Sequence, residues 1–427
     1  MTFVFLIVLF VTVFSAFRYN KDIFSPARIY ISIYSLLLAI NSLRLSALQT
    51  PWTLTTHLLF WGASFFFVAG GVLILLVNRI NNPLAAINFG HIRDNIKATA
   101  ETTDWNWFHQ VWVFCTIVFF ASYLMSYLIT GAIPLFTSEP DDARIKFFGA
   151  SLASNIGLFF GPLSLILATE LAFFGSLQGK RRIPVFIASL VTLILYITIV
   201  TRLDLFRFFI FAIIVYHYGK KKLTAAQLLS VIGVSLLVFV AFFLLRIKYN
   251  SMAMLGEMNL LKMPLKYIWC SNFYAYVAGN FWNMDFSFAK FVEGLASHPQ
   301  GWGFDLSRPF LYLAHMESGL ANSYGFDSIM NESVVRVKGL NTIIYVWHFF
   351  KDFGAFGVYF LPLAFGALVT VFYVNTMNAP TVFRISMWAL IVPMIVFSYI
   401  VPLWEFWFTY LNFLIMAIAH RRLKIAT

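Results

Sequence analysis

Four arginines, Arg144, Arg202, Arg207 and Arg246, stand at the ends of long apolar runs. Few acidic residues lie near them: Asp141 and Asp142 precede Arg144, and Asp204 separates Arg202 from Arg207. A guanidinium keeps its charge at any working pH and presents a planar fork that matches pairs of phosphate oxygens. A charge at the edge of hydrocarbon is costly unless something binds it. Arginines gathered there point to an anionic ligand, and a lipid-linked phosphate or pyrophosphate is the natural one. The plain alternative is an arginine that reaches out to the interface. Arg144 would then pair with Asp141 or Asp142, and Arg246 would anchor the end of a span.

A second polar set lies in the segment 247–341. It comprises His298, Arg308, His315, Glu317, Glu332, Arg336 and Asn341. His315 and Glu317 stand two residues apart, and either could take a proton from a hydroxyl. Glu332 is a third candidate for that role, and a structural role is the alternative for each. Glu170 and Glu405 fall inside apolar stretches. A carboxyl group there is a functional candidate or a buried, hydrogen-bonded one.

Other chemistries find no support. Neither a G-x-x-x-x-G-K-[ST] loop nor a G-x-G-x-x-G turn occurs, so nucleotide hydrolysis by this chain is not expected. No Asp-x-Asp pair is present to hold a metal on a diphosphate. The histidines at 57, 91, 109, 217, 298, 315, 348 and 420 show no metal-ligand spacing. No metal and no cofactor are therefore expected, and arginines must neutralise any pyrophosphate.

The elements that position these residues follow from composition. Hydrophobic residues make up 60% of the 427-residue chain and charged residues 11%. That is the profile of an all-α polytopic integral membrane protein. The net charge of +12 flanks apolar stretches and forms no aromatic-laced patch, which argues against nucleic acid. The apolar runs 2–17, 27–46, 54–77, 107–130, 150–174, 184–201, 205–218, 224–246, 342–374, 384–400 and 403–419 are read as about eleven spans. The 205–218 run is short and the 342–374 run over-long, so the start of the latter belongs to the interface or beyond it.

Lys and Arg in the short loops set the orientation. The segments Arg18–Arg28, Arg79–Lys97, Lys180–Arg182, Lys220–Lys222, Arg384 and Arg421–Lys424 fall on one side, read as cytoplasmic. The N-terminus is then outside and the C-terminus inside. The other face carries 131–149, the turn near 202–207 and the large loop 247–341. That loop balances its charges and is dense in aromatics, including Trp269, Phe281, Trp282 and Trp302. Such a composition suits short helices lying in the interface. Cys115 and Cys270 are placed too differently to pair. One membrane domain, 1–427, with one elaborated extracytoplasmic loop is the simplest organisation.

Three short motifs resemble signatures of the Wzy-type oligosaccharide repeat-unit polymerases. They are Gly131-x-Ile-Pro-Leu-Phe136 with Ala143-Arg144, Lys21-Asp-Ile-Phe-Ser-Pro26, and Asn341-Thr342 with Asp352-Phe-Gly-Ala-Phe-Gly357. The layout of spans and one large late loop is similar as well. The resemblance implies a GT-C-like (B-type) glycosyltransferase in the bacterial inner membrane that works without metal. It implies undecaprenyl-pyrophosphate-linked oligosaccharides as donor and acceptor, membrane lipids around them, and a Wzz-type chain-length regulator as a possible partner. It also implies that Arg144, and with it Arg202, Arg207 and Arg246, binds the donor pyrophosphate. Arg308…Gly319 fits an Arg-x10-Gly pattern of such loops, and Arg336 and Asn341 join the substrate-binding candidates.

Two alternatives stay open. The related O-antigen ligases carry a histidine beside an asparagine at the start of the late span, but Leu340 precedes Asn341 here. A transporter or flippase of a lipid-linked glycan would show two related halves or spans broken at midplane. Neither is visible.

Overall fold

The structure, a computed structural model, describes residues 1–18, 22–81, 88–175, 182–199, 201, 203–231, 233, 258–292, 304–313, 342–400 and 402–422. Among these residues every regular element is helical. In chain order the helices are α1 (Thr2–Arg18), α2 (Pro26–Asn41), α3 (Leu54–Asn81), α4 (Phe89–Thr102), α5 (Trp105–Thr130), α6 (Pro140–Phe148), α7 (Leu152–Leu158) and α8 (Phe160–Phe173). They continue with α9 (Arg182–Thr198), α10 (Leu203–Gly219), α11 (Ser271–Val292), α12 (Phe304–Leu313), α13 (Tyr345–Asn378), α14 (Val382–Val396) and α15 (Trp407–Ala419).

Among the described residues, four stretches are long and apolar enough to cross a membrane: Leu54–Val77, Trp105–Thr130, Leu152–Phe173 and Tyr345–Asn378. Shorter apolar helices cover Thr2–Arg18, Pro26–Asn41, Ile183–Thr198, Val382–Val396 and Trp407–Ala419. Large apolar side chains such as Phe3, Phe65, Leu128, Phe186 and Leu368 stand exposed on these helices. Contiguous apolar surface of that kind is covered by lipid in a membrane protein.

The helices depart from the expected runs in several places. The stretch 150–174 divides at Phe159 into α7 and α8. The basic segment after α3 contains a helix of its own, α4, which buries Phe89, Ile92 and Ile96 on one face. Asn88 caps α4 by accepting from the amides of Gly90 and His91. The 384–419 region holds α14 and α15, and Glu405 lies in the 3-10 turn Leu403–Glu405 between them, not inside a helix. Of the expected span 224–246, residues 225–231 are helical and most of the remainder lies outside the described residues.

The chain forms two compact units. Unit 1 comprises residues 1–87, 251–374 and 394–409. Unit 2 comprises 88–250, 375–393 and 410–427.

Unit 1 is held by close helix contact and buried hydroxyls. A Cβ on Gly366 would fall 2.0 Å from the Phe67 carbonyl oxygen, so α3 and α13 touch backbone to backbone. Small residues permit such approach between apolar helices, where dispersion and hydrogen bonds replace the hydrophobic drive. Tyr30 and Tyr345 share a hydrogen bond of 2.9 Å between their hydroxyls, and Tyr34 meets Ser398 Oγ at 3.0 Å. The motif 21–26 contributes a staple at the start of α2. Asp22 Oδ2 accepts from the Tyr373 hydroxyl at 2.7 Å, and Oδ1 accepts from Phe24 N at 2.9 Å. Arg28 Nη1 donates to the Asp22 carbonyl at 2.9 Å. This motif is thus built into the packing of α2 on α13.

Unit 2 is built around α8, most of whose residues are buried. Thr116 and Ser164 join α5 to α8 through a 2.6 Å hydroxyl contact. Asp104 caps α5 by accepting from Asn106 N and Trp107 N. The Trp107 indole donates to Ile418 O at 2.9 Å and carries the Arg422 guanidinium 4.2 Å over its ring.

Candidate functional site

Unit 1 concentrates buried polar groups at the start of α13. On α11, Asn280, Asn283, Asp285 and Ser287 are all buried. Asp285 Oδ1 accepts from Thr53 N at 3.1 Å, just before α3 begins. A carboxylate there opposes the positive end of the helix dipole. Asn283 Nδ2 donates to Thr342 O at 2.9 Å, which ties α11 to the approach to α13. Phe288 packs on Trp347 at 5.7 Å and on Phe350 at 5.1 Å.

The first part of α13 presents His348 and Asp352 one turn apart. His348 Nδ1 lies 2.8 Å from Glu405 Oε1. Asp352, fully buried, accepts from Leu306 N at 3.2 Å near the start of α12. Arg308, half-buried, is carried by the same helix. The neighbours hold this arrangement in place. Phe349 stacks on Trp404 at 5.4 Å and 19°, Tyr345 packs edge-on against the same indole, and Tyr345 N donates to Ser398 O at 3.0 Å. At Gly354 the backbone leaves helical geometry, with φ 62° and ψ −153°. Only glycine adopts that conformation readily, so it sets off the segment bearing His348 and Asp352 from the rest of α13.

The arginines of unit 2 belong to a second arrangement. Gly131, in the left-handed conformation at φ 67°, ends α5. The turn Pro134–Phe136 then leads to α6, which carries Arg144. Arg144 is half-buried and has no ion-pair partner among the described residues. Three residues on, Phe147 is buried against Tyr123 at 5.3 Å. The Tyr123 hydroxyl meets Thr198 Oγ1 at 2.7 Å, at the end of α9. Two residues earlier on α9, the Tyr196 hydroxyl donates to Asp204 Oδ2 at 2.8 Å. Arg207 Nη1 donates to the other oxygen, Oδ1, at 3.0 Å. The helix of Arg144 and the Arg207–Asp204–Tyr196 network therefore share one end of unit 2.

Arg207 is consequently not a bare cation. Asp204, read as an isolated neighbour in sequence, is its partner, and the side chains of the pair are 7% and 12% exposed. The charges at this end are mixed: Arg144, Lys146 and Arg207 stand with Glu139, Asp141, Asp142 and Asp204. Arg202, Arg246, His315, Glu317, Glu332, Arg336 and Asn341 lie outside the described residues.

Sequence reasoning quoted Asp352 within the motif Asp352–Gly357 and His348 among the histidines without metal spacing, and assigned neither a role. The visible signal was His348-x3-Asp352, the spacing of one helical face. The partner Glu405 is distant in sequence, which no spacing rule reaches. Among the described residues, no group of three His, Cys, Asp or Glu side chains could hold a metal ion. No protein-family model, no curated protein and no solved structure matches this chain.

Proposed function

We propose that this chain polymerises undecaprenyl-pyrophosphate-linked oligosaccharide repeat units at the periplasmic face of the bacterial inner membrane. The acceptor is a lipid-linked single unit, and the growing glycan is transferred to it. A hydroxyl of the acceptor attacks the anomeric carbon of the donor. The bond from that carbon to the phosphate oxygen breaks, and undecaprenyl pyrophosphate leaves with the electron pair. Negative charge builds on the leaving group, so fixed positive charge lowers the barrier without a metal. In a partly dry site that interaction strengthens.

The observation that carries this reading is Arg144, which has no ion-pair partner among the described residues, in a Gly131-x-Ile-Pro-Leu-Phe136…Arg144 segment similar to the polymerase signature. The Arg207 network at the same end of unit 2 adds to it. The charge bias of the short loops assigns this end to the periplasm, with the N-terminus outside and the C-terminus inside. The aromatic, near-neutral loop 247–341 is the part suited to cover sugars.

The test is direct. Purified protein in nanodiscs receives a single undecaprenyl-pyrophosphate-linked repeat unit, with EDTA and no nucleotide. A ladder of products with released undecaprenyl pyrophosphate is the expected result. Intact substrate that binds without forming a ladder overturns the reading. Transfer only to a lipid A core acceptor would make it a ligase, and movement of labelled substrate across vesicles without lengthening would make it a flippase.

A further inference from the structure

We propose that Arg44, Lys262 and Lys266 form a surface on unit 1 that binds the anionic headgroups of outer-leaflet phospholipids, with Leu43, Leu260 and Leu265 entering the acyl boundary beside them. Two segments far apart in sequence build it. Ser46 Oγ donates to Leu261 O, and Ala47 N donates to Lys262 O at 3.4 Å. The stretch after α2 is thereby tied to the stretch before α11. On the orientation read from the short loops, both lie outside the cytoplasm. That side ordinarily carries few Lys and Arg, so three cations there want a reason.

Among the described residues, Arg44 and Lys262 are the two non-glycine residues with positive φ, at 50° and 49°. Each closes a helical end. Arg44 N donates to Asn41 O at 3.3 Å where α2 stops, and Met263 N donates to Met258 O at 3.2 Å across the turn that Lys262 ends. Glycine or asparagine fits such a position with less strain. A cation at each carries a cost in backbone strain, which a bound anion offsets. All three cations are exposed, and none has an ion-pair partner among the described residues. Lys266 Nζ lies 5.0 Å over the Tyr267 ring. No Asp or Glu occurs between 42 and 53 or between 258 and 270. Asp285 on α11 is buried and accepts from Thr53 N, and Glu257 lies outside the described residues. Each cation has an exposed leucine within two residues: Leu43 at 51%, Leu260 at 55% and Leu265 at 71%. Apolar side chains beside cations suit a membrane interface, where the leucine enters the acyl boundary and the cation meets phosphate. An acidic polar ligand would match the cations alone; a phospholipid matches both. The depth fits as well, because the crossing stretch Leu54–Val77 begins just past this loop. A guanidinium grips two phosphate oxygens at once, and the two ammonium groups add point charges.

The test places the full-length protein in nanodiscs of phosphatidylcholine with a rising fraction of phosphatidylglycerol. Thermal midpoints are followed, and lipid retained by the protein is counted by native mass spectrometry. Wild type is compared with Arg44→Gln, Lys262→Gln, Lys266→Gln and the triple variant. Basic segments elsewhere are the same in all of them, so differences from wild type report this surface. Wild type is expected to gain stability with phosphatidylglycerol and to retain it in preference to phosphatidylcholine. Each substitution is expected to weaken binding at this surface about fivefold, and high salt to shrink the wild-type preference. Lys262→Gly is expected to raise the midpoint in pure phosphatidylcholine, by relieving the backbone, and still to lose phosphatidylglycerol dependence. A merely structural role for Lys262 would not separate those two readouts. Equal phosphatidylglycerol retention by wild type and the triple variant overturns the proposal. Displacement by inorganic phosphate, with no preference between the two lipids, marks a free-anion site and overturns it as well. So does loss of bound lipid-linked pyrophosphate with phosphatidylglycerol retention unchanged, since the occupant is then a substrate. If the triple variant does not fold, the single variants decide on the same measurements.

Discussion

Glu170 Oε2 and His420 Nε2, 250 residues apart in sequence, lie 2.8 Å apart inside unit 2. Glu170 is fully buried on α8, and the histidine ring rests against Phe108 at 5.1 Å and Phe383 at 5.5 Å. The pair therefore joins α8 to the end of α15 between two aromatic rings. Sequence alone left Glu170 open as a functional or a buried group, and the geometry makes it a strut.

Removing one member of such a pair strands the other without its partner. His420→Ala is expected to cost about 3–5 kcal/mol, by analogy with broken buried pairs. Replacing both residues with leucine is expected to cost far less, because no polar group is left uncompensated. Thermal unfolding in detergent, followed for both variants, checks the order. Equal losses would mean that the pair contributes no more than packing.

The two arginines of unit 2 separate structure from ligand binding. Arg207→Ala leaves Asp204, which is buried, with the Tyr196 hydroxyl but without its cation. It is expected to destabilise by about 1–3 kcal/mol as well as to weaken polymer formation. Arg144→Ala removes no ion pair among the described residues and is expected to change stability by no more than about 0.5 kcal/mol. Its loss of polymer, measured against protein level, would then report ligand binding alone. Full-length polymer from Arg144→Ala would remove the pyrophosphate role from that residue.

The helical, apolar character of the chain was legible because long apolar runs stand out in the sequence. The turn at Gly131-Ala-Ile-Pro134 has a local cause of the same kind: glycine takes the left-handed cap and proline starts the next turn. The α4 helix was not, because Phe89, Ile92 and Ile96 are diluted by charged and polar neighbours in a segment that reads as a loop. The site residues divide in the same way. Arg144 declared itself by a charge next to hydrocarbon. Glu405 did so as well, as a carboxyl in an apolar stretch, but its neighbour His348 did not, since the contact joins α13 to a turn near the C-terminus. The motif Lys21-Asp-Ile-Phe-Ser-Pro26 was noticed as a signature, and its physical content is the Asp22–Tyr373 hydrogen bond.

Gly354 gives a sharper test of how α13 serves the site. Its φ of 62° and ψ of −153° lie in a region that side chains with a Cβ avoid. Gly354→Ala is expected to cost about 1–3 kcal/mol. If the cost is met by straightening α13, His348 and Asp352 move off their partners, and the polymerisation rate falls further than stability does. Both are measurable on one preparation. An alanine variant with unchanged unfolding midpoint and rate would show that the break does not depend on glycine.

Tyr274 supplies a prediction for alkaline pH. The residue is on α11, in the segment read as extracytoplasmic. Its hydroxyl accepts from Leu45 N at 3.0 Å and donates to Gln49 Oε1. Burial pushes the phenol up from 10.0 to about 12, with the hydrogen bonds from Leu45 N and to Gln49 offsetting part of the shift. The folded chain thus holds the neutral phenol more tightly than the unfolded chain does. Its contribution is fully present below pH 10 and is lost as pH rises through about 12. Tyr274→Phe cannot titrate. Wild type is therefore expected to be the more stable at pH 8, where the hydrogen bonds are intact, and to lose that advantage between pH 10 and 12. Unfolding midpoints of the two proteins across that range, plotted as a difference, would show a falling step. A difference that stays constant would place the phenol in a solvated setting and detach α11 from the loop that carries Leu45 and Gln49.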